Sequence, residues 1–454
     1  MSSFKFSKTF IDKYYEYTRR SKELYDYASI RNPGGVHSSF RWFPPYPFYA
    51  SKARGQYIWD VDGNKFIDYI MGYGALIAGH SPREIVEAII NQLELGTLYT
   101  VPYELQIKLV DELLNRYPML DGFRISNTGT EAVMHAIKMA RIYTGRDKVI
   151  KVEGTYHGSY DPVKVSEYVR PDKWGPEDRP NTVLAPGIPE WYREYVYVVQ
   201  FNDIENLEGI VEEHKDEIAA MILEPVMMNN VGCIVPEKDY LKKVEKILRD
   251  NEILFIVDEV KTGFRLGYGG ATEYFGLDPD IVVLAKALGG GVPISAVGFK
   301  KDVGEIIYPS GRYAFSGTYN GNPLVVAASY ANLTKILTKE NHRKLFQLGE
   351  YFGKGLNDVA EKFDYKVIPE YIGPAGTLHF MGFKPRNYRD VFRNYNFNAY
   401  RESWIRLFTR NILFRGPIDG EPYFISLAHT VEDLDLTINA VEDVLSELIK
   451  EGIL

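Results

Sequence analysis

Cysteine is nearly absent: Cys233 is the one thiol in 454 residues. A single cysteine cannot close an intrachain disulfide, so a reducing compartment, or no reliance on redox chemistry, is expected. No uninterrupted apolar run approaches the roughly 20 residues needed to cross a bilayer. The opening residues, MSSFKFSKTFIDKYYEYTRR, hold no apolar stretch of the kind a secretory leader needs, and a cytoplasmic location with no membrane partner is expected. Positive charge is in deficit, with 53 Lys and Arg against 61 Asp and Glu and a net charge of -8. Phosphate-backbone binding leans on clustered Lys and Arg, so no nucleic-acid partner is expected. The eight histidines show no ligand spacing, so no metal is expected. Neither G-x-x-x-x-G-K-[ST] nor a helix-opening G-x-G-x-x-G follows a first strand, which sets aside the common nucleotide sites.

The composition that remains, 45% hydrophobic and 25% charged, is ordinary for a soluble globular chain. The length fits two or three domains. Residues 1–30 read as one amphipathic helix, with Phe10, Tyr14, Tyr17 and Leu24 among its apolar positions, broken by Pro33-Gly34-Gly35. Residues 55–70 alternate around Asp62-Gly63 and predict a hairpin. Short β-branched runs then alternate with helical stretches, at 148–153, 219–223, 253–257 and 281–284. That pattern predicts a mostly parallel sheet covered on both faces, with ligands bound beyond the carboxyl ends of its strands. A long helix is expected from Pro323, mixed α+β structure after 335, and a final amphipathic helix carrying Leu434, Ile438, Val441, Val444, Leu445 and Leu448.

Four strand ends carry chemistry. Run 253–257 leads into Asp258 and Glu259, and a carboxylate there is an N-cap, half of a buried ion pair, or the partner of a cationic ring nitrogen. Run 281–284 leads to Lys286 and then Gly289-Gly290-Gly291. A lysine there is either a surface charge or an amine whose proton affinity has been lowered for covalent chemistry, with glycines letting backbone approach a flat ligand. Ser126-Asn127-Thr128-Gly129-Thr130-Glu131 opens a helix; it is either a simple capping box of Thr128 with Glu131 or a phosphate cradle. Glu153-Gly154-Thr155-Tyr156-His157-Gly158 sets an aromatic ring between glycines, as a core tyrosine or a stacking platform. The joint presence of all four at successive strand ends, in the chain order 128–130, 156, 258 and 286, favours a site.

These blocks, with DVDGNKFIDYI at 60–70, EPV at 224–226, DEVKTGFR at 258–265, LAKALGGGVPISAVG at 284–298 and SGTYNGNP at 316–323, give nearly the whole chain a likeness. It resembles the class III aminotransferases of the fold-type-I pyridoxal-phosphate enzymes, and within them the glutamate-1-semialdehyde aminomutase-like group. The resemblance implies an α/β fold: a large domain with a mostly parallel seven-stranded sheet, plus a smaller α+β domain built from both termini. The implied boundaries are 1–70, 71–334 and 335–454, the middle piece binding cofactor. It implies pyridoxal 5′-phosphate as cofactor, passing through pyridoxamine phosphate in the half-reaction.

By matching position, Lys286 would be the Schiff-base lysine and Asp258 the partner of the ring nitrogen, with Val260 and Tyr156 on the two ring faces. Thr128, Gly129 and Thr130 would hold the phosphate, with His157 and Glu224 also at the cofactor. Thr318 would reach the neighbouring subunit's site, which implies a homodimer. Arg41, Tyr73, Asn229 and Glu421 would face the substrate. The expected activity moves an amino group from an amino acid, β-amino acids among the candidates, to a keto acid. Two alternatives stay open: conversion of glutamate-1-semialdehyde to 5-aminolevulinate, and racemisation or epimerisation of an amino acid. A binding protein that has kept the fold without activity is disfavoured by the intact Lys286 and Asp258.

The chain departs from the aminomutase pattern in places. Met227-Met228-Asn229-Asn230 replaces a shorter Ala-Gly-Asn, which predicts a more apolar pocket. Gly72-Tyr73 stands for Ser-Trp, and His37 for an asparagine.

Overall fold

Alternation along short β-branched runs sets the centre of the molecule. The structure, a computed structural model, describes residues 6–416 and 420–454. Seven strands form the main sheet: β1 (Gly122–Ser126), β2 (Lys148–Val152), β3 (Val196–Val199), β4 (Ile218–Leu223), β5 (Leu254–Asp258), β6 (Ile281–Leu284) and β7 (Ser295–Phe299). Their order is β1-β7-β6-β5-β4-β2-β3. β7 runs antiparallel to both β1 and β6, and the other neighbours pair in parallel. This is the expected mostly parallel, seven-stranded α/β sheet.

Successive side chains of a strand point to opposite faces. Ile281 and Val283 therefore join the core beneath the helix Gly129–Thr144, whose Ala132, Val133, Ala136, Ile137 and Ala140 pack there. Val282 and Leu284 join the larger core on the other face. Both faces are covered, and β4 is buried at every position. Because β7 reverses twice, β1 ends on the same edge as β2, β4, β5 and β6. Thr128, Tyr156, Glu224, Asp258 and Lys286 all follow those ends.

Two smaller sheets flank this layer. One joins Ala50–Arg54, Tyr57–Asp60 and Lys65–Asp68 to Ile412–Leu413, which lies parallel to Lys65–Asp68. The other comprises Ile368–Ile372, Ala375–His379 and Tyr423–Phe424. The hairpin at Asp62-Gly63 forms as expected, with Ile58 opposite Phe66.

The single helix expected over 1–30 is corrected to two, Lys8–Tyr17 and Arg19–Ser29; its first five residues lie outside those described. The Thr18 hydroxyl donates back to the Tyr14 carbonyl at 2.6 Å. The Asp62 carboxylate then accepts the freed N–H groups of Arg20 (2.6 Å) and Ser21 (3.0 Å). A carboxylate from the hairpin turn thus caps a new helix start. The long helix expected from Pro323 is also shorter. It spans Pro323–Ala331 and passes into a π turn, Asn332–Ile336. The final helix, Val431–Lys450, starts on a Thr430–Asp433 capping box. No helix among the described residues is long and apolar enough to cross a membrane.

Candidate active site

A cavity of about 410 Å³ lies at the shared strand edge. Thr128, Gly129, Thr130, Tyr156, His157, Asn229, Asp258, Val260 and Lys286 all line it. Nine positions singled out in the sequence are thus brought to one hollow.

Asp258 ends β5 and is buried. His157 Nδ1 lies 2.6 Å from its Oδ2, and the Val260 N–H donates to its Oδ1 at 2.9 Å. Burial depresses the proton affinity of His157 despite the Asp258 hydrogen bond. The neutral imidazole donates from Nδ1, which leaves Nε2 buried and without a partner among the described residues.

At the start of the Gly129–Thr144 helix the capping box does form. Thr128 Oγ1 accepts from the Glu131 N–H, and the Glu131 carboxylate accepts from the Thr128 and Asn127 N–H groups. The two readings of this turn are therefore compatible. The cap occupies those donors and leaves the N–H groups of Gly129 and Thr130 at the positive end of a 16-residue helix, facing the cavity. A Cβ on Gly129 would approach Val260 Cγ2 to 3.2 Å, so glycine keeps that corner open.

Lys286 follows β6 at φ 42°, in the left-handed region that L residues avoid. Such a conformation costs about 1–3 kcal/mol and persists only where the surroundings impose it. Of the three glycines after it, only Gly291 lines the cavity. Gly289 and Gly290 are crowded by Val292, Ile85 and Asn332, so they serve protein packing rather than a ligand. Asn332, on the π turn, donates to the Ala287 carbonyl at 2.7 Å and braces the lysine turn. Burial, then the nearby Lys261 cation, lower the Lys286 amine to about 8.

Glu224 follows β4. Its Oε2 accepts from Asn229 Nδ2 at 2.8 Å and from the Met228 N–H at 3.3 Å, while Oε1 is buried without a partner among the described residues. Burial and then the Asp258 charge raise it to about 8, so it is mostly protonated at neutral pH. A raised carboxyl stabilises the fold fully below its unfolded pKa, and that stabilisation is lost as pH rises through about 8. Glu224→Gln is expected to flatten this loss. A wild-type and variant that melt in parallel between pH 5 and pH 8, compared by calorimetry, would contradict it.

Asn229, not Asn230, faces the cavity; Asn230 Nδ2 donates instead to the Gly154 carbonyl. Met227 and Met228 are fully buried and line neither this cavity nor its neighbour. The two methionines therefore do not make the cavity walls more apolar.

A second cavity, of about 450 Å³, is walled by His37, Phe40, Arg41, Phe43, Phe48, Tyr49, Ile58, Ile70 and Tyr73 among others. Phe40 meets the Tyr156 ring edge-on at 6.0 Å, which links the two hollows. Tyr73, at φ 56°, donates its hydroxyl to the Phe40 carbonyl at 2.7 Å. Arg41 is exposed at the rim.

Glu421 is buried and bound to Lys261 Nζ at 3.0 Å; Lys261 was not singled out in the sequence. A lysine three residues after a strand reads as a surface charge, and only the fold reveals that it is 3% exposed. Thr318 is exposed and does not line the cavity of its own chain.

The arrangement suits a flat group with a cationic ring nitrogen at Asp258, an anionic tail at the helix start, and an electrophilic carbon within reach of Lys286. The model of class III aminotransferases matches residues 40–394. The glutamate-1-semialdehyde 2,1-aminomutase of Methanosphaera stadtmanae is 40% identical over 95% of this chain and 99% of its own. An omega-transaminase from Sphaerobacter thermophilus superposes with a TM-score of 0.89 at 33% identity, covering 94% of this chain and 97% of that one. A β-phenylalanine aminotransferase from Variovorax paradoxus does so with a TM-score of 0.87 at 27% identity, covering 97% and 96%.

Proposed function

The chain belongs to the class III aminotransferase family, and from that premise we propose that it transfers amino groups from amino acids, β-amino acids among them, to keto acids. The family and its solved members imply pyridoxal 5′-phosphate as cofactor. When bound, that group supplies an aldehyde that takes up amines and a ring that withdraws electrons. The observation carrying the reading is the convergence of Lys286, Asp258 and the Gly129–Thr130 helix start on one cavity.

Each residue has a role that its surroundings support. Asp258, fixed by His157 and the Val260 N–H, would keep a proton on the ring nitrogen of the bound cofactor. Gly129 and Thr130 offer free N–H groups, and Thr128 and Thr130 hydroxyls, to a phosphate. Val260 and Tyr156, both on the cavity wall, would bracket the cofactor's flat ring. Lys286 would hold the cofactor, and its amine would move the proton of the substrate carbon that bears the amino group; an amine titrating at about 8 is well matched to that work at neutral pH. Arg41 offers a planar, two-point grip on a carboxylate. The aromatic walls beside it leave room for a substrate side chain larger and more apolar than that of glutamate-1-semialdehyde.

Thr318 serves the partner subunit's site in a homodimer. Its segment is tied to 97–106 by Asn322 Nδ2 to the Thr97 carbonyl, and by Tyr103 and Gln106 to the Gly321 carbonyl. Around it Ile90, Leu95, Leu98, Val101, Ile107 and Tyr319 are exposed, an apolar surface that association would bury. Light scattering is expected to give twice the 52.0 kDa chain mass; a monomer that binds cofactor normally would contradict this.

The aminomutase reading remains the second one, favoured by relatives of that name at 40% identity over most of the chain. One experiment separates the two. The purified enzyme is mixed with single α-, β- and ω-amino acids without acceptor, and the spectrum of the bound cofactor is followed. Glutamate-1-semialdehyde is tested for 5-aminolevulinate in parallel. Conversion by a β-amino acid without 5-aminolevulinate is expected. The opposite result would replace the proposal by the aminomutase.

A further inference from the structure

Lys261 is a buried cation that the proposed chemistry leaves without a task. Its Nζ donates to the Met228 carbonyl at 2.7 Å and to Glu421 Oε2 at 3.0 Å. The two side chains are 3% and 10% exposed. A buried ion pair is a poor way to gain stability, because desolvation of both charges offsets most of their attraction. Its place in the site is more telling. Val260, the residue before Lys261, lines the cofactor cavity, as does Asn229, the residue after Met228. The Gly232 N–H donates to the Gly420 carbonyl at 2.7 Å, so the chain beside Glu421 is laced to the same loop. Glu421 is also the charge acting most strongly on Tyr73, in the neighbouring cavity. Neither side chain lines either cavity; the pair lies one residue removed, at Val260 and at Asn229, from the wall of the cavity that holds Lys286.

We propose that Lys261 and Glu421 are positioning residues for Lys286, a buried ion pair pinned to the Met228 carbonyl whose two charges act on the Lys286 amine in opposite senses. This rests on Lys286 being the reacting amine. A neighbouring cation disfavours the protonated amine and a neighbouring anion favours it. Among the charges that face Lys286, Lys261 is the cation, and Glu421, Asp258 and Glu224 are the acids. Glu224 is mostly protonated at neutral pH, and His157, bound to Asp258, is neutral. Lys261 thus lowers the cost of freeing the lysine for attack. Glu421 neutralises Lys261 enough for it to stay buried.

The test uses the full-length, cofactor-free chain. It is acetylated with brief pulses of acetic anhydride across pH, and modification of Lys286 is read by peptide mass spectrometry. Lys261→Met is expected to raise the midpoint of Lys286 reactivity by on the order of one pH unit or more, because the anion then acts alone. Glu421→Gln is expected to lower it, because the cation then acts alone. Lys261→Arg should keep the wild-type midpoint. A merely structural pair would not move the midpoint in opposite directions. Unchanged midpoints, shifts of the same sign, or an Arg variant that behaves like Met would overturn the proposal. If Lys261→Met does not fold, Glu421→Gln decides alone: a lowered midpoint supports it and any other result overturns it. Acetylation needs neither cofactor nor turnover, so failure here is distinguishable from failure of the aminotransferase reading.

Discussion

Replacing Lys286 by alanine is expected to cut turnover by about 10⁴-fold or more while leaving the fold intact. Acid–base groups in active sites contribute about 10²–10⁴-fold, and this residue also carries the covalent attachment, which puts it at the top of that range. The fold should not suffer. Lys286 sits in a strained φ of 42° that alanine shares, and its amine is held in a setting that disfavours its charge. Removing it deletes a desolvated group. Thermal midpoints of the two proteins should agree closely. A variant that kept a tenth of wild-type turnover with the same substrate would remove Lys286 from the mechanism.

Asp258→Asn is expected to have the next largest effect, a loss of about 10²–10⁴-fold in kcat with weaker retention of the cofactor. The change is isosteric, so shape is kept and charge alone is lost. Two donors, His157 Nδ1–H and the Val260 N–H, now converge on Asp258. An amide can accept from only one of them. His157 can adjust by moving its proton to Nε2, which has no partner among the described residues, so Nδ1 becomes the acceptor for the amide N–H. The site should thus stay assembled while the ring nitrogen loses its anion. Stopped-flow rates and cofactor loss on dialysis would measure both effects. Full activity in the asparagine variant would show that no proton is held there.

The parts of the fold legible in the sequence were those whose local pattern agrees with their final surroundings. The β-branched runs at 148–153, 219–223, 253–257 and 281–284 are central strands buried on both faces, and all four were visible. β1 and β7 were not. Each carries a glycine, Gly122 against Phe299 and Gly298 against Phe123, where neighbouring rings leave no room for a side chain. Packing selected a residue with poor strand propensity, so the strand signal vanished. The break at Thr18 was hidden for a related reason, because its cause, Asp62, lies 44 residues away.

The site divides along the same line. Asp258, Lys286 and Tyr156 could be seen because each follows a visible strand run and the sheet rule points beyond strand ends, and the Thr128 turn because a capping box opens an apolar-periodic helix there. Glu421 and Arg41 came only from family resemblance. Lys261 gave no signal, since its meaning depends on burial and on a partner 160 residues later.

The central claim is that Lys286 carries the cofactor, and reductive trapping tests it most directly. The enzyme is loaded with pyridoxal phosphate, treated with borohydride, digested and mapped by mass spectrometry. The reduced cofactor is expected on Lys286 alone. Its appearance instead on Lys261, Lys151 or Lys164, or its absence from the chain altogether, would contradict the account.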